Sequence, residues 1–246
     1  MTKVYFASDL HLKYNDEASS QRELLFVQWL DMVKRDATQI YLLGDMFDFW
    51  FEYKEVIPPG FFRLFGKLAE LTDRGIEIHY FVGNHDMWMR DHLSKHLGLI
   101  LHHGASEIEI GQYRFFIGHG HELAEGVFLK LLFKLYKSRF FQKVFASIHP
   151  RWGIACGNYL STRNQNKKTN ENIETSDRNK YLVEFSKKKL LEKHCDYFIF
   201  GHTHTSDFRE LSSGSYYVNT GDWVSYQSYA VFDGQKVSLL QYSNEL

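Results

Sequence analysis

Five short polar clusters in this chain carry aspartate, asparagine and histidine side chains, and each follows an apolar run. They read Asp9-Leu10-His11, Gly44-Asp45, Gly83-Asn84-His85-Asp86, Gly118-His119-Gly120-His121 and Gly201-His202-Thr203-His204. Carboxylate oxygens and imidazole nitrogens together suit borderline divalent ions such as Mn, Zn, Fe or Co. The clusters contain no cysteine, which argues against a closed structural zinc site. The residue types therefore indicate a hydrolytic metal centre.

A pair of ions makes more chemistry possible than a single ion. Two divalent ions about 3.5 to 4 Å apart clamp a phosphate and lower the pKa of a shared water, and they need a carboxylate that bridges them. Asp45 is our candidate for that bridge. The glycine before each key residue permits a tight turn and a close backbone approach, because it has no Cβ.

The elements that must position these clusters are short β-branched and aromatic runs, which predict strands. The predicted strands are 4–8, 40–43, 78–82, 113–117, 197–200, 216–219, 229–232 and 237–241. Between the early strands, apolar residues recur at helical spacing. One predicted helix buries Leu24, Val27, Leu30 and Val33, and the next buries Phe61, Leu64, Phe65, Leu68 and Leu71. We expect a mixed α/β sandwich whose two sheets are flanked by helices, with the clusters converging at the strand ends.

Length and composition set further bounds. The 246 residues suit one domain, 1–246, and residues 122–172 look like a helical insertion within it. With 29 basic and 30 acidic residues there is no global field to recruit nucleic acid. The two cysteines are expected as free thiols in a reducing cytosol. The sequence lacks a signal-peptide or membrane-spanning pattern, so we expect a cytoplasmic protein, attached at most to the surface of the inner membrane.

The ordered motifs DxH, GD, GNHD, GH and GHxH resemble those of the calcineurin-like metallophosphoesterase family over essentially the whole chain. The resemblance implies a four-layer α-β-β-α sandwich. It also implies that His85 is a general acid or transition-state stabiliser held by Asp86. One metal ion would be held by Asp9, His11, Asp45 and His204, and the second by Asp45, Asn84, His119 and His202. We expect Mn in both positions.

Within that family the chain is similar to the enzymes of lipid A synthesis that cleave the pyrophosphate of a UDP-linked, doubly acylated glucosamine, releasing UMP. The stretches SDLHL at 8–12 and GDMFDFW at 44–50 carry this likeness, together with the helical segment after the fourth motif. Two residues depart from the pattern. His121 stands where aspartate is expected, and His85 stands where some of the lipid enzymes carry arginine.

The segment 123–148 alternates apolar residues with lysine and arginine, which predicts an amphipathic, basic helical hairpin. It either packs on the domain with a solvated basic face or forms a lid with an apolar chamber for acyl chains, lined by Phe128 and Phe141. The polar run 161–172 reads as a solvated loop. Ser161, Arg163, Lys167 and Lys168 within it could instead hold the pyrophosphate or uridine.

The other histidines need separate interpretations. His79 lies in a predicted strand and His102 with His103 in a turn, so we expect structural or surface roles, and His92 with His96 should lie on a surface helix. His121 is a candidate for phosphate contact or for support of a ligand. Asn84, His85 and His202 are expected to touch substrate as well.

Two other functions stay open. A phosphoesterase of the same family acting on a nucleotide, phosphoprotein or nucleic acid would keep every ligand and differ in the insertion. A non-catalytic scaffold would be expected to lose ligands, and none is lost here.

Overall fold

The computed structural model describes residues 3–124, 134–136, 138–170 and 178–243, with the main chain alone for 162–170. Its eleven strands in those ranges are β1 Lys3–Ala7, β2 Ala37–Leu42, β3 Glu77–Phe81, β4 Ile100–His102, β5 Ser106–Ile110, β6 Tyr113–Ile117, β7 Tyr197–Phe200, β8 Asp207–Ser212, β9 Ser215–Asn219, β10 Ser228–Phe232 and β11 Val237–Gln241. The helices are α1 Glu17–Val33, α2 Phe62–Asp73, α3 His92–Leu97, α4 Arg139–Ala146, α5 Pro150–Asn170 and α6 Lys180–Glu192, with one 3₁₀ turn at His121–Leu123.

The strands form two sheets. The first has the order β11-β10-β1-β2-β3-β4, and the second has the order β5-β6-β7-β9-β8. Strands β1 to β4 run parallel to one another, and so do β6, β7 and β9. Because parallel neighbours end at the same edge, the loops that follow them come together there.

Both faces of the central strands are buried, which explains why they read as continuous apolar runs. In β1, Val4 and Phe6 face the second sheet, where they pack in one core with Phe115 and Ile199. Tyr5 on the opposite face belongs to the core beneath α1 and α2. A third core joins the outer face of the second sheet to α6. The layers are therefore helix, sheet, sheet and helix, and the predicted four-layer sandwich is confirmed.

All eight predicted strands are present within a few residues of their expected bounds, but β4, β5 and β8 were not predicted. The sequences of β5 and β8, SEIEI and DFRELS, mix charged residues into the pattern because both strands are sheet edges. His102 lies in β4, so its prediction as a turn residue is wrong. It pairs with His79, whose Nδ1 is 3.0 Å from its Nε2.

The predicted face of α2 is confirmed by the burial of Leu64, Leu68 and Leu71. The predicted face of α1 is partly wrong. Leu24 is 41% exposed, whereas the aromatic residues Phe26 and Trp29 are fully buried. The larger rings turn toward the sheet because they remove more apolar surface from water.

Within 122–172 the described residues form the end of the 3₁₀ turn, a helical stretch at 134–136, α4 and α5, and no strand. Helix α5 continues to Asn170, so the prediction of a loop from residue 161 is wrong up to that point. No glycine or proline lies between Gly157 and Asn170, so the helix can continue through these residues. Phe128 and much of the predicted hairpin lie outside the described residues. That 122–172 is an insertion in a single domain stays a prediction.

Candidate metal centre

All seven predicted metal ligands lie at the same edge of the two sheets, in the loops after parallel strands. Asp9 and His11 follow β1, Asp45 follows β2 and Asn84 follows β3. From the second sheet, His119 follows β6, while His202 and His204 follow β7. The structure brings these side chains, 195 positions apart at most, into two adjoining groups.

The first cluster consists of Asp9, His11 and His204. The Nε2 atoms of the two histidines are 3.2 Å apart. Asp9 Oδ1 lies 3.7 Å from Nε2 of His11 and 3.4 Å from Nε2 of His204. This oxygen is buried and has no hydrogen-bond partner within the described ranges. A buried carboxylate oxygen facing two imidazoles is a cradle for a cation.

The second cluster consists of Asp45, Asn84, His119 and His202. Nε2 of His119 lies 3.3 Å from Asp45 Oδ2, 3.3 Å from Asn84 Oδ1 and 3.2 Å from Nδ1 of His202. The donor set is two imidazole nitrogens, one carboxylate and one amide oxygen, which suits a borderline divalent ion.

One oxygen of Asp45 faces both clusters. Asp45 Oδ2 is 3.8 Å from Nε2 of His11 and 3.3 Å from Nε2 of His119. The other oxygen, Oδ1, accepts a hydrogen bond of 2.8 Å from the backbone N–H of His85. Asp45 thus lies where a carboxylate that bridges two ions would have to lie.

The hydrogen bonds of His119 test whether a cation fits. Its Nδ1 is 2.6 Å from the carbonyl oxygen of Leu43, so Nδ1 must donate and Nε2 is left with its lone pair. That lone pair faces the carboxylate of Asp45, which repels it unless a positive charge lies between them. Burial lowers the pKa of His119, but the Asp45 carboxylate outweighs burial and raises it to about 10. In the protein alone a proton fills the place for which a divalent ion would compete, so the residues fit a metal.

Two carboxylates that the sequence did not reveal support the histidines of the first cluster. Nδ1 of His11 is 3.3 Å from Asp48 Oδ1, and Nδ1 of His204 is 3.0 Å from Asp222 Oδ2. Such partners orient the ring and leave Nε2 for the metal. The signals were available, since Asp48 lies three residues after Asp45, and Asp222 follows Gly221 in the loop after β9.

The backbone of the centre is strained. Five of the seven predicted ligands have a positive φ, namely Asp9 at 57°, His11 at 46°, Asp45 at 52°, His202 at 70° and His204 at 57°. Residues with a side chain rarely adopt this conformation, which costs of order 1–3 kcal/mol each and persists at functional sites. Arg22 of α1 helps to hold it, because its Nε and Nη2 donate to the carbonyls of Leu10 and His11 at 2.6 and 3.0 Å.

Two glycines let the loops approach the ligands as closely as they do. A Cβ on Gly83 would lie 2.2 Å from Asp45 Oδ1, and one on Gly201 would lie 2.6 Å from Asp9 Oδ2. No side chain fits at such distances. The role predicted for these glycines therefore has a direct steric basis.

His85 is held in a way that was not predicted. Its Nδ1 is 2.9 Å from the carbonyl oxygen of Asp48 and 2.9 Å from Ser161 Oγ of α5. The predicted support by Asp86 is wrong, because that carboxylate accepts from the backbone N–H of Gly83 and Met46 and from Tyr80 Oη. Burial and the charge of Asp45 raise the pKa of Asp86 to about 7. Asp86 thus organises the loop rather than the imidazole.

His121 is buried beside the second cluster. Its ring centroid is 5.4 Å from that of His119, and its Nδ1 is 3.1 Å from Glu122 Oε2. The loop of His202 and His204 is anchored from α6, since Asn179 accepts from Thr203 Oγ1 at 2.6 Å. The hydrogen bond from Thr203 thus fixes the loop that carries His202 and His204.

A cavity of about 170 Å³ opens beside His85 between the strand-end loops and α5. Its apolar lining is largely aromatic and comprises Phe49, Trp50, Met87, Trp88, Tyr136, Phe145 and Leu160. Phe141 packs behind this wall, with its ring centroid 6.0 Å from Trp88 and 5.4 Å from Tyr136. The backbone of Arg163, Lys167 and Lys168 belongs to α5, but their side chains are not among the described parts of the structure.

The remaining histidines lie apart from the centre. His79 and His102 form their pair on β3 and β4, and the rings of His92 and His96 lie 4.5 Å apart on the short surface helix α3. No helix among the described residues is long and apolar enough to span a membrane.

The chain is similar to several known proteins. The sequence model of the calcineurin-like phosphoesterases matches residues 2–206. The UDP-2,3-diacylglucosamine hydrolase of Porphyromonas gingivalis is 37% identical, over 97% of this chain and 97% of its own. That of Histophilus somni is 25% identical over 91% and 93% of the two chains. The structure of Yfce, a phosphoesterase from E. coli, covers 96% of this chain and 91% of its own, with a TM-score of 0.46 and 14% identity.

Proposed function

The chain belongs to the calcineurin-like phosphoesterase family, and on that premise we propose that it hydrolyses UDP-2,3-diacylglucosamine in lipid A synthesis. Water adds to the α-phosphorus, and the bond from that phosphorus to the bridging oxygen breaks. The products are UMP and 2,3-diacylglucosamine 1-phosphate. The names of the relatives support the substrate, since one of them is similar along almost the full length of both chains.

One observation carries the reaction type: a single oxygen of Asp45 faces the imidazoles of both clusters, at 3.8 and 3.3 Å. Asp9, His11, Asp45 and His204 would hold one divalent ion, and Asp45, Asn84, His119 and His202 the other. Mn is our choice for both, with Zn, Fe or Co as alternatives. When bound, such a pair supplies charge neutralisation for the phosphate and lowers the pKa of a water.

The hydrogen bonds of His85 support a catalytic role for this residue. The carbonyl of Asp48 can only accept, so Nδ1 of His85 carries a proton and Nε2 is the nitrogen left for a reacting group. From there the ring donates, when protonated, to the leaving oxygen or to the developing phosphoryl charge. Asp86 supports catalysis indirectly, by holding the loop that carries His85.

The substrate would lie across the centre with an acyl chain in the aromatic cavity. Phe49, Trp88 and Phe145 give that cavity an apolar wall directly beside His85. Phe141 backs the wall, and the lid predicted from the sequence would add Phe128, which lies outside the described residues. Asn84, His121 and His202 would contact the phosphates, with Arg163, Lys167 and Lys168 on the pyrophosphate or uridine side.

We also propose that the enzyme is cytoplasmic and works at a lipid surface. Residues 126–170 contain nine lysines and arginines and no acidic residue. On the described part of that segment Phe140 is 78% exposed, and Trp152 and Tyr159 are each 66% exposed. Basic and aromatic side chains together suit an anionic bilayer surface. The two cysteines are free thiols, as a reducing compartment requires.

A vesicle experiment tests the lipid surface. Phe140→Asp with Trp152→Asp should weaken co-flotation with phosphatidylglycerol vesicles. Phe62→Asp is the matched control, because Phe62 is 81% exposed but lies on α2. Equal loss of binding in the control and the double variant would contradict this surface.

The reaction itself is tested with purified protein, Mn and UDP-2,3-diacylglucosamine, with the products identified by mass. We expect UMP and the acylated sugar 1-phosphate, and no product after treatment with a chelator. Hydrolysis of a small phosphodiester without any release of UMP would instead favour a different phosphoesterase of the same family.

A further inference from the structure

Three residues of α5 share one face because they are spaced four apart: Gly153, Gly157 and Ser161. All three are buried, whereas the intervening Ala155, Cys156 and Tyr159 are exposed. This buried face of α5 lies against the loops that follow β2 and β3.

The two glycines set how closely α5 approaches the loop that follows β2. A Cβ on Gly153 would lie 2.0 Å from Tyr53 Oη, and a Cβ on Gly157 would lie 2.4 Å from the ring of Phe49. Real Cβ atoms do not make contacts this short, so any larger residue must shift the helix or the ring. Tyr53 and Phe49 belong to the segment just after Asp45, and the glycines thereby fix the height of α5 above the metal centre.

At that height Ser161 reaches the catalytic imidazole. Ser161 is 7% exposed, and its Oγ is 2.9 Å from Nδ1 of His85. Nδ1 also lies 2.9 Å from the carbonyl oxygen of Asp48, a group that can only accept. Nδ1–H therefore points between two oxygens, one from the strand-end loop and one from α5.

We propose that Ser161 is a positioning residue for His85, and that Gly153 and Gly157 place it there. Two acceptors on Nδ1 fix both the tautomer and the rotation of the ring, so that Nε2 is presented to the phosphate. Ser161 thus acts through His85 rather than by binding substrate. This role rests on the proposed function, because it requires His85 to act on a phosphoester.

A double-mutant cycle separates this role from direct substrate contact. Ser161→Ala should lower kcat by ~10-fold, the value of about one hydrogen bond, with KM unchanged. Ser161→Thr keeps the hydroxyl and should restore most of kcat. In a His85→Ala background Ser161→Ala should have no further effect, within ~2-fold. If the two losses multiply, or if KM rises instead of kcat falling, Ser161 does not act through His85.

The role of the glycines in placing α5 is tested with a matched pair of Gly→Ala variants. Gly157→Ala should lower kcat at least as much as Ser161→Ala, and again not in the His85→Ala background. Gly66→Ala is the control, because Gly66 is also helical and a Cβ there would meet nothing within 4 Å. Bound metal, measured by mass spectrometry, should be unchanged in both. If Gly157→Ala retains wild-type kcat, or lowers kcat further in the His85→Ala background, then Gly157 does not place Ser161 against His85. If Gly157→Ala fails to fold, the double-mutant cycle with Ser161→Ala decides alone.

These measurements should be made on bis(p-nitrophenyl) phosphate as well as on UDP-2,3-diacylglucosamine. Failure of the proposed function would appear as no release of UMP by the unmodified protein. Failure of the positioning role would appear as multiplicative losses in the cycle on the small phosphodiester, whatever happens to the UDP-sugar.

Discussion

Two pairs of histidines in this protein make nearly the same contact in opposite surroundings. In the metal centre, His11 and His204 bring their Nε2 atoms to 3.2 Å, among Asp9, Asp48 and Asp222. On β3 and β4, His79 and His102 approach to 3.0 Å with Tyr41 and Phe81 stacked on them, at centroid distances of 4.4 and 4.3 Å. Distance between imidazoles therefore does not make a metal site.

What differs is the charge around each pair. Burial lowers the pKa of His11, but the nearby carboxylates of Asp48, Asp9 and Asp45 outweigh burial and raise that pKa to about 10. Burial also lowers the pKa of His79, and there Glu77 does not outweigh it. The pKa of His102 is lowered by burial and by the neighbouring His79. The carboxylates around the first pair attract a positive charge, and the apolar surroundings of the second pair disfavour one. The comparison indicates that carboxylates decide which pair of imidazoles can bind a cation.

Removing the shared carboxylate should break this contrast most severely. In Asp45→Asn one oxygen facing both clusters loses its charge, so we expect kcat to fall by on the order of 10³-fold or more. Both ions should be bound more weakly, as measured by metal content after dialysis. Loss of one ion with full retention of the other would contradict a bridging role for Asp45.

Removing a carboxylate that supports a histidine of the metal centre should weaken the binding of one of the two ions only. In Asp222→Asn, Nδ1 of His204 loses its anionic partner, and the affinity for one ion should fall by about 10–100-fold. Asp233→Asn is the control, because Asp233 caps a surface turn through Gln235 and Lys236 far from the centre. Titration with Mn followed by calorimetry measures both sites, and unchanged affinity in Asp222→Asn would refute the supporting role.

Metal binding should stabilise the fold through the first pair and leave the second pair unaffected. With Mn about 100-fold above its Kd, the folded state gains ~2.7 kcal/mol for one ion, which raises Tm by roughly 5–10 °C in a domain of this size. A variant with His79→Phe and His102→Phe should show the same shift between Mn and chelator. A smaller shift in that variant would mean that the second pair also binds metal.

The smallest expected effect is a loss of folding stability in acid that comes from His79 and His102. The pKa values of His79 and His102 are lowered in the folded protein, so the unfolded chain binds more protons there. Their contribution to stability is full above pH ~6.5 and is lost as the pH falls through that value toward the lower folded pKa. Urea unfolding between pH 7.5 and 5 should show a shallower loss in the His79→Phe, His102→Phe variant than in the unmodified protein. Parallel curves would contradict this.

Much of the centre could be predicted from sequence because its ligands share a position, directly after strands that run parallel. Asp48 and Asp222 were missed, since their roles depend on hydrogen bonds to Nδ1 atoms that spacing along the chain does not encode. The assignment of Asp86 to His85 failed for a related reason. Its neighbour in sequence is His85, but its carboxylate points to the backbone N–H groups of Gly83 and Met46.

The fold was predicted correctly for strands that are buried on both faces. It was predicted poorly for the strands at the sheet edges and for the end of α5. The central strands read clearly because both of their faces are covered, whereas edge strand β5 alternates glutamate with isoleucine. Helix α5 was taken for a loop after residue 160, because its polar composition hid the helical periodicity. Its contact with His85 comes from that same stretch, so the positioning role of Ser161 could not be anticipated.

The hydroxyl of Tyr181 donates to the carbonyl of Gly120 at 3.3 Å, which brings the start of α6 beside the fourth motif. The chain thus departs after His121 and comes back at Asn179 through neighbouring points. All seven predicted metal ligands lie outside this stretch, whereas Ser161, which contacts His85, lies within it. Exchanging this stretch with that of a relative is therefore expected to leave the metal ligands in place, while it changes both the preference for a phosphoester and the support of His85.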